Sequence, residues 1–175
     1  MKHLTDKIFL IGGMGAGKTT VGVKLAHILH YKFYDIDKEI EKATGVDIPW
    51  IFEIEGEEGF RKREQKILRK LANKSQIVLA TGGGTILDID NRHLLINNGL
   101  VIYLKTTVEH QLRRLTHDKR RPLLQVENRD EVLSKIMSER EPLYSSMADI
   151  IIETGDRSIT SVLNNIMKVA FEVQD

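Results

Sequence analysis

The sequence predicts an α/β protein whose parallel sheet is covered by helices on both faces. Three observations carry that expectation. Apolar runs of strand length alternate with segments of helical period along the chain. A glycine-rich pattern, "GGMGAGKT" at residues 12–19, stands between the first strand and the first helix. No repeat, low-complexity tract or Pro/Gly/Ser linker breaks the alternation, and 175 residues suffice for one domain over 1–175.

"KIFLIG" reads as a buried first strand, and Val21, Leu25, Ala26 and Leu29 mark one face of the helix after it. "KFYDID" is a short second strand. Phe60, Ile67, Leu68 and Leu71 stripe a charged helix that leads into "IVLA", the third strand. "LVIYL" is the fourth, "DIIIE" the fifth, and a last helix starts near Ser158. Before the fifth strand a helix over 131–147 carries Val132, Ile136, Leu143 and Met147 on one face. Strands joined by crossover helices pair in parallel, and their ligands bind beyond the carboxyl ends of the strands. The unusual residues of this chain sit at those ends.

Composition narrows the function. With 26 basic against 25 acidic residues, no strong field draws nucleic acid or an anionic membrane. The absence of cysteine excludes disulfides, thiolate zinc sites and a cysteine nucleophile. His27 and His30 lie three apart on the first helix without a third ligand nearby, and read as surface residues. "MKHLTDKIFLIGG" turns glycine-rich after four apolar residues, so it reads as neither signal peptide nor membrane span. A soluble, cytoplasmic protein is expected, and a monomer, since no apolar surface stripe stands out.

The phosphate-loop pattern has a chemical reason. Its glycines let successive backbone N–H groups turn inward around phosphate oxygens, and the helix N-terminus adds its positive dipole end. Gly15, Ala16, Gly17, Lys18, Thr19 and Thr20 are the expected ATP-binding residues. Lys18 would reach the β- and γ-phosphates, and the Thr19 hydroxyl would ligate magnesium. The N-K-x-D and T-K-x-D elements of guanine-specific switches are absent, and the chain is short for a motor. A small-molecule kinase is favoured.

Two further sets of residues fit that chemistry. Asp35 and Asp37 stand two apart at the end of the second strand, where extended backbone would point both to one side. One carboxylate could hold magnesium through water while the other takes the proton of an acceptor hydroxyl. The same spacing also fits Asp37 as the cap of the helix beginning "KEIEKA". Arg140 falls on the apolar stripe of 131–147, and Arg61 has Glu64 three residues on. Two such arginines could grip a carboxylate, although each also reads as an ordinary surface residue. The basic segment "THDKRRPLLQ", 116–125, is either a solvated loop or a lid that brings an arginine to the transferring phosphate. Finally, "IVLATGGGTI" ends its strand in three glycines where an aspartate often helps to hold magnesium, which suggests a close approach to the backbone.

Taken together, "GGMGAGKTTVG", "FYDIDKEIEKATG", "IFEIEGEEGFRKRE", "TGGG", "RRPLL" and "REPLY" resemble the shikimate kinase family in order and spacing over nearly the whole chain. A gluconate-type kinase would share the phosphate loop but not the set. The resemblance implies a P-loop NTPase of nucleoside-monophosphate-kinase-like fold with a five-stranded parallel sheet. It implies a substrate-binding segment near 33–61 and a lid near 112–126. The implied reaction turns ATP and shikimate into ADP and shikimate 3-phosphate, with magnesium as cofactor, toward chorismate and the aromatic amino acids.

By the same resemblance Asp37 binds the shikimate hydroxyls and is the base, while Asp35 holds magnesium through water. Arg61 and Arg140 hold the substrate carboxylate, with Glu64 supporting Arg61. Gly82, Gly83 and Gly84 match the glycine run that meets shikimate, and Phe52 and Phe60 line its pocket. Arg121 matches the lid arginine, and Arg114 and Arg157 flank adenine. Pro49 and Thr85 depart from the family's usual residues and are expected to stand apart from the chemistry. A nucleoside monophosphate kinase and a nucleotide-dependent switch without an acceptor remain the competing readings.

Overall fold

Each of the five apolar runs is a strand, and all five pair in parallel in the order β2-β3-β1-β4-β5. The computed structural model describes residues 6–116, 124 and 126–171. In chain order the elements are β1 Lys7–Ile11, α1 Lys18–Leu29, β2 Lys32–Asp35, α2 Ile36–Thr44 and α3 Ile48–Ala72. There follow β3 Ile77–Ala80, a short 3-10 turn Thr85–Leu87, α4 Ile89–Asn98, β4 Leu100–Lys105 and α5 Val108–Leu115. The last are α6 Arg129–Met147, β5 Ile150–Glu153 and α7 Ile159–Phe171.

The two-residue period of β1 divides the interior. Phe9 and Ile11 join the core shared with α2, α3, α4 and α6, while Ile8 and Leu10 join the one shared with α1 and α7. Both faces are covered, so the central strands can be apolar at every position. Register then aligns the strand ends. Asp35 pairs with Ala80, and Ala80 with Leu10, so the phosphate loop, the acidic pair and the glycine run emerge side by side. Among the described residues no helix is long and apolar enough to cross a membrane.

Three local readings need correction. β2 stops at Asp35, and Asp35 rather than Asp37 caps α2, its Oδ1 accepting from the N–H groups of Asp37 and Lys38 at 3.0 and 3.3 Å. Asp37 therefore sits in the first helical turn, not on an extended strand. On α6 the buried line is Leu133, Met137, Arg140, Tyr144 and Met147, one residue round from the expected face. Val132 and Ile136 cover a smaller cluster with Met14 and Leu115, so this helix buries two adjoining stripes. The charged helix before β3 starts earlier than its stripe suggested. α3 opens on the Asp47 cap with Pro49 in its first turn, and bends at Gly56, where φ is 69°. Arg63 Nε grips Glu55 across the bend at 2.8 Å.

Candidate active site

Beyond Ile11 the chain turns through Gly12, Gly15 and Gly17, with φ of 145°, 73° and 91°. Such angles are open to glycine and strained for other residues, which explains the spacing of the motif. Gly17 opens α1 with no side-chain cap and no acid in the first turn, so the N–H groups of the first turn are left for an anion. Lys18 Nζ donates to the carbonyls of Gly12 and Gly13 at 2.7 and 2.9 Å, which holds the ammonium over the loop. The Thr19 hydroxyl donates to Asp35 Oδ2 at 2.6 Å and ties the loop to β2.

A side chain that sequence reasoning missed supports the loop from behind. Gln111 on α5 is fully buried, and its Nε2 donates to the Met14 carbonyl at 2.7 Å. The same nitrogen lies where a Cβ on Gly13 would fall, which is why position 13 carries no side chain. Nothing in the sequence marks a lone glutamine so far from the loop. Arg114, from the same helix, donates to the carbonyls of Gly15 and Gly155 at 2.8 and 2.9 Å, joining the loop to the turn after β5. Arg157 lies exposed in that turn.

At the end of β3 the three glycines are the meeting ground of four charged side chains. A Cβ on Gly82 would lie 2.9 Å from Glu64 Oε2 and 3.4 Å from Asp37 Oδ1. One on Gly83 would lie 3.4 Å from Arg140 Nη1, and one on Gly84 would overlap the Arg61 guanidinium. A side chain at Gly82 or Gly84 would displace part of that constellation, whereas a Cβ at Gly83 would only come into contact with Arg140. A cleft of about 180 Å³ runs from the phosphate loop to this point, lined among others by Lys18, Thr19, Asp35, Asp37, Gly82 and Gly83.

Glu64 is fully buried on the stripe of α3 between Phe60 and Leu68. Its Oε1 accepts from Arg61 Nη1 at 2.9 Å and its Oε2 from the Thr85 hydroxyl at 2.7 Å. Thr85, expected to stand apart, is thus bonded directly to the support of Arg61. Burial pushes the Glu64 carboxyl up, and nearby Asp37 adds to this, while Arg61 and Thr85 oppose it. Glu57, one turn before Arg61, takes its other terminal nitrogen at 3.1 Å. Glu57 was missed in the sequence, where its i,i+4 spacing from Arg61 is the signal that marks the pair. The Arg61 guanidinium also lies 5.1 Å from the centre of the Phe60 ring, and Phe52 packs on that ring at 4.9 Å.

Arg140 is buried on α6 at only 6% exposure. One turn on, Tyr144 donates its hydroxyl to the Gly83 carbonyl and stacks on Tyr103 at 5.1 Å. Burial pushes the Tyr144 phenol up to about 12, with Arg140 working against the shift. The glycine run is therefore pinned at its middle residue. Arg121 and residues 117–123 of the expected lid lie outside the described residues.

Thr19 and Asp35 offer hard oxygen donors beside the phosphate loop, a set that suits magnesium shared with phosphate oxygens and water. Among the described residues no cluster of three or more His, Asp or Glu gathers to bind a metal alone.

A family model described as shikimate kinase matches residues 14–170. The chain belongs to the shikimate kinase family. The shikimate kinase of Francisella philomiragia is 53% identical over 163 residues, 93% of either chain. Among solved structures, shikimate kinase from Acinetobacter baumannii in complex with shikimate superposes with a TM-score of 0.93 at 48% identity, covering 95% of this chain and 93% of that one. The deoxyadenosine kinase of M. mycoides with bound dATP shares the fold alone, with a TM-score of 0.60 at 16% identity and 95% and 100% coverage. The expected P-loop, nucleoside-monophosphate-kinase-like architecture of the shikimate kinases is thus the one observed.

Proposed function

We propose that this chain transfers the γ-phosphoryl group of ATP to the 3-hydroxyl of shikimate, giving ADP and shikimate 3-phosphate on the route to aromatic amino acids. One observation carries the reading. The glycine run beside the phosphate loop is faced by two arginines and two carboxylates, the complement of a small polyhydroxy acid. The 53% identity to a curated shikimate kinase and the 0.93 TM-score against a shikimate complex support the same acceptor.

The roles of the residues follow from their chemistry. Arg61, oriented by Glu64 and Glu57, and the buried Arg140 hold the acceptor carboxylate through charge-assisted hydrogen bonds. Gly82, Gly83 and Gly84 leave room for the ring to lie against the backbone. Phe52 and Phe60, within the segment 33–61, form an apolar wall beside Arg61. Asp37 faces Gly82 and takes the proton of the attacking hydroxyl. Gly15, Ala16, Gly17, Thr20 and Lys18 bind the phosphates, and Lys18 with Arg121 steadies charge on the transferring group. Arg114 and Arg157 flank the adenine. Thr19, and Asp35 through water, would hold magnesium, which neutralises phosphate charge when bound. Closure of segment 112–126 excludes water, the competing acceptor. The reading carries with it a cytoplasmic monomer that binds neither nucleic acid nor membrane.

A coupled ADP-release assay with shikimate, gluconate, AMP, CMP and no acceptor tests this. ADP release that depends on shikimate is expected. Turnover only with AMP or CMP would overturn the reading for a nucleoside monophosphate kinase. Nucleotide binding with no acceptor-dependent turnover would overturn it for a switch.

A further inference from the structure

Thr85 makes a contact that the roles above leave unused. Its side chain is fully buried, and its position is fixed twice through the backbone. The Thr85 N–H donates to the Gly82 carbonyl at 3.2 Å, and its carbonyl accepts from Asn91 Nδ2 of α4 at 3.0 Å. Asn91 is itself held at the start of α4, where its N–H donates to Asp88 Oδ1 at 3.1 Å. From this anchored place the hydroxyl donates to Glu64 Oε2 at 2.7 Å, while Arg61 donates to Oε1 at 2.9 Å.

We propose that Thr85 is a positioning residue for the acceptor. It fixes the Glu64 carboxylate so that Arg61 presents its guanidinium to the substrate carboxylate. The inference rests on the shikimate reading, since it gives Arg61 its partner. The physical reason is that a buried carboxylate has two oxygens to satisfy and a bond that rotates freely unless both are held. With Oε2 released, Glu64 can turn, and the Arg61 fork turns with it. Arg61 already has Gly84 against it, where a Cβ would collide, so a small rotation changes what it offers to the cleft. Thr85 touches neither the reacting atoms nor the phosphate loop, so its effect falls on the acceptor side and leaves ATP binding unchanged.

The test compares Thr85→Val, which keeps the shape and removes the hydroxyl, with Thr85→Ser and Thr85→Ala, in steady state against shikimate and ATP. Thr85→Val should raise the KM for shikimate roughly tenfold, the scale of one hydrogen bond to a buried charge, with the KM for ATP within about twofold. Thr85→Ser should restore the KM to within about twofold. If the valine protein does not fold, the serine and alanine proteins make the same comparison, with only alanine raised. In an Arg61→Ala background the loss of the Thr85 hydroxyl should have little further effect, because both changes act through one guanidinium. Equal KM values with and without the hydroxyl, parallel rises for ATP and shikimate, or full additivity with Arg61→Ala would each overturn the inference. A wild-type protein that does not turn over shikimate would instead overturn the proposed function, before any variant is compared.

Discussion

The phosphate loop and the glycine run lie side by side at the ends of β1 and β3, yet they are built by different means. The loop is eight consecutive residues held by glycine backbone angles and by hydrogen bonds to its own carbonyls, with Gln111 and Arg114 behind it. The glycine run contributes little but space. The charges around it come from Asp37 on α2, Arg61 and Glu64 on α3 and Arg140 on α6, which converge on three positions. Under the proposed roles, a donor site of backbone amides suits any nucleoside triphosphate, whereas an acceptor site of braced charges of both signs suits a small polyhydroxy acid. Damage to the second site should therefore change acceptor binding while leaving the nucleotide alone.

The largest effect should come where the two sites meet. Asp37→Asn should lower kcat by about 100-fold or more, the scale of a lost general base, with the KM for ATP within about threefold. Near-normal turnover in steady-state assays would remove Asp37 as the base. Within the acceptor site the glycines should not be equal. Gly84→Ala drives a Cβ into the Arg61 guanidinium and should raise the KM for shikimate by roughly tenfold. Gly83→Ala meets Arg140 only at 3.4 Å and should cost several-fold less. Equal effects would mean that Arg61 moves aside without loss.

On the donor side, Gln111→Leu removes the bond to the Met14 carbonyl. The KM for ATP should rise by about threefold to tenfold, and that for shikimate should stay unchanged. A matched rise in both would join the two sites that the comparison separates. Smallest is the pin on the glycine run. Tyr144→Phe should lower stability by about 1 kcal/mol at neutral pH, measured by urea unfolding. Because burial raises the Tyr144 phenol to about 12, its contribution is present below the unfolded value of 10 and is lost as pH rises through 12. Wild type should therefore lose its margin over the phenylalanine variant between about pH 10 and 12.

How much of this the sequence disclosed follows the same division. The loop was legible because its residues are adjacent and each has a reason for its place. The sheet was legible because strands buried on both faces are apolar throughout, even in the four residues of β3. The phase of α6 was not, because Val132, Ile136 and Leu143 are as apolar as Leu133, Met137 and Tyr144, and only the packed structure chooses between adjoining stripes. Nor could capping preference choose between two aspartates two residues apart. Arg140 stood out as a charge on an apolar line, and Glu64 sits on α3 in the same way, between Phe60 and Leu68. Thr85 was visible only as a departure from the family's usual residue, with no sign of its role, and Gln111 gave no signal at all. Their partners lie 21 and 97 residues away, and only the fold brings them together.

The central claim is that Arg61 and Arg140 form a carboxylate site independent of the phosphate loop. The direct measurement compares shikimate with its methyl ester, which keeps the ring and hydroxyls but carries no charge. Wild type should use the acid with a KM at least about tenfold below that of the ester, and Arg140→Ala should erase most of that preference without changing the KM for ATP. Equal use of acid and ester by the wild-type protein would contradict the account.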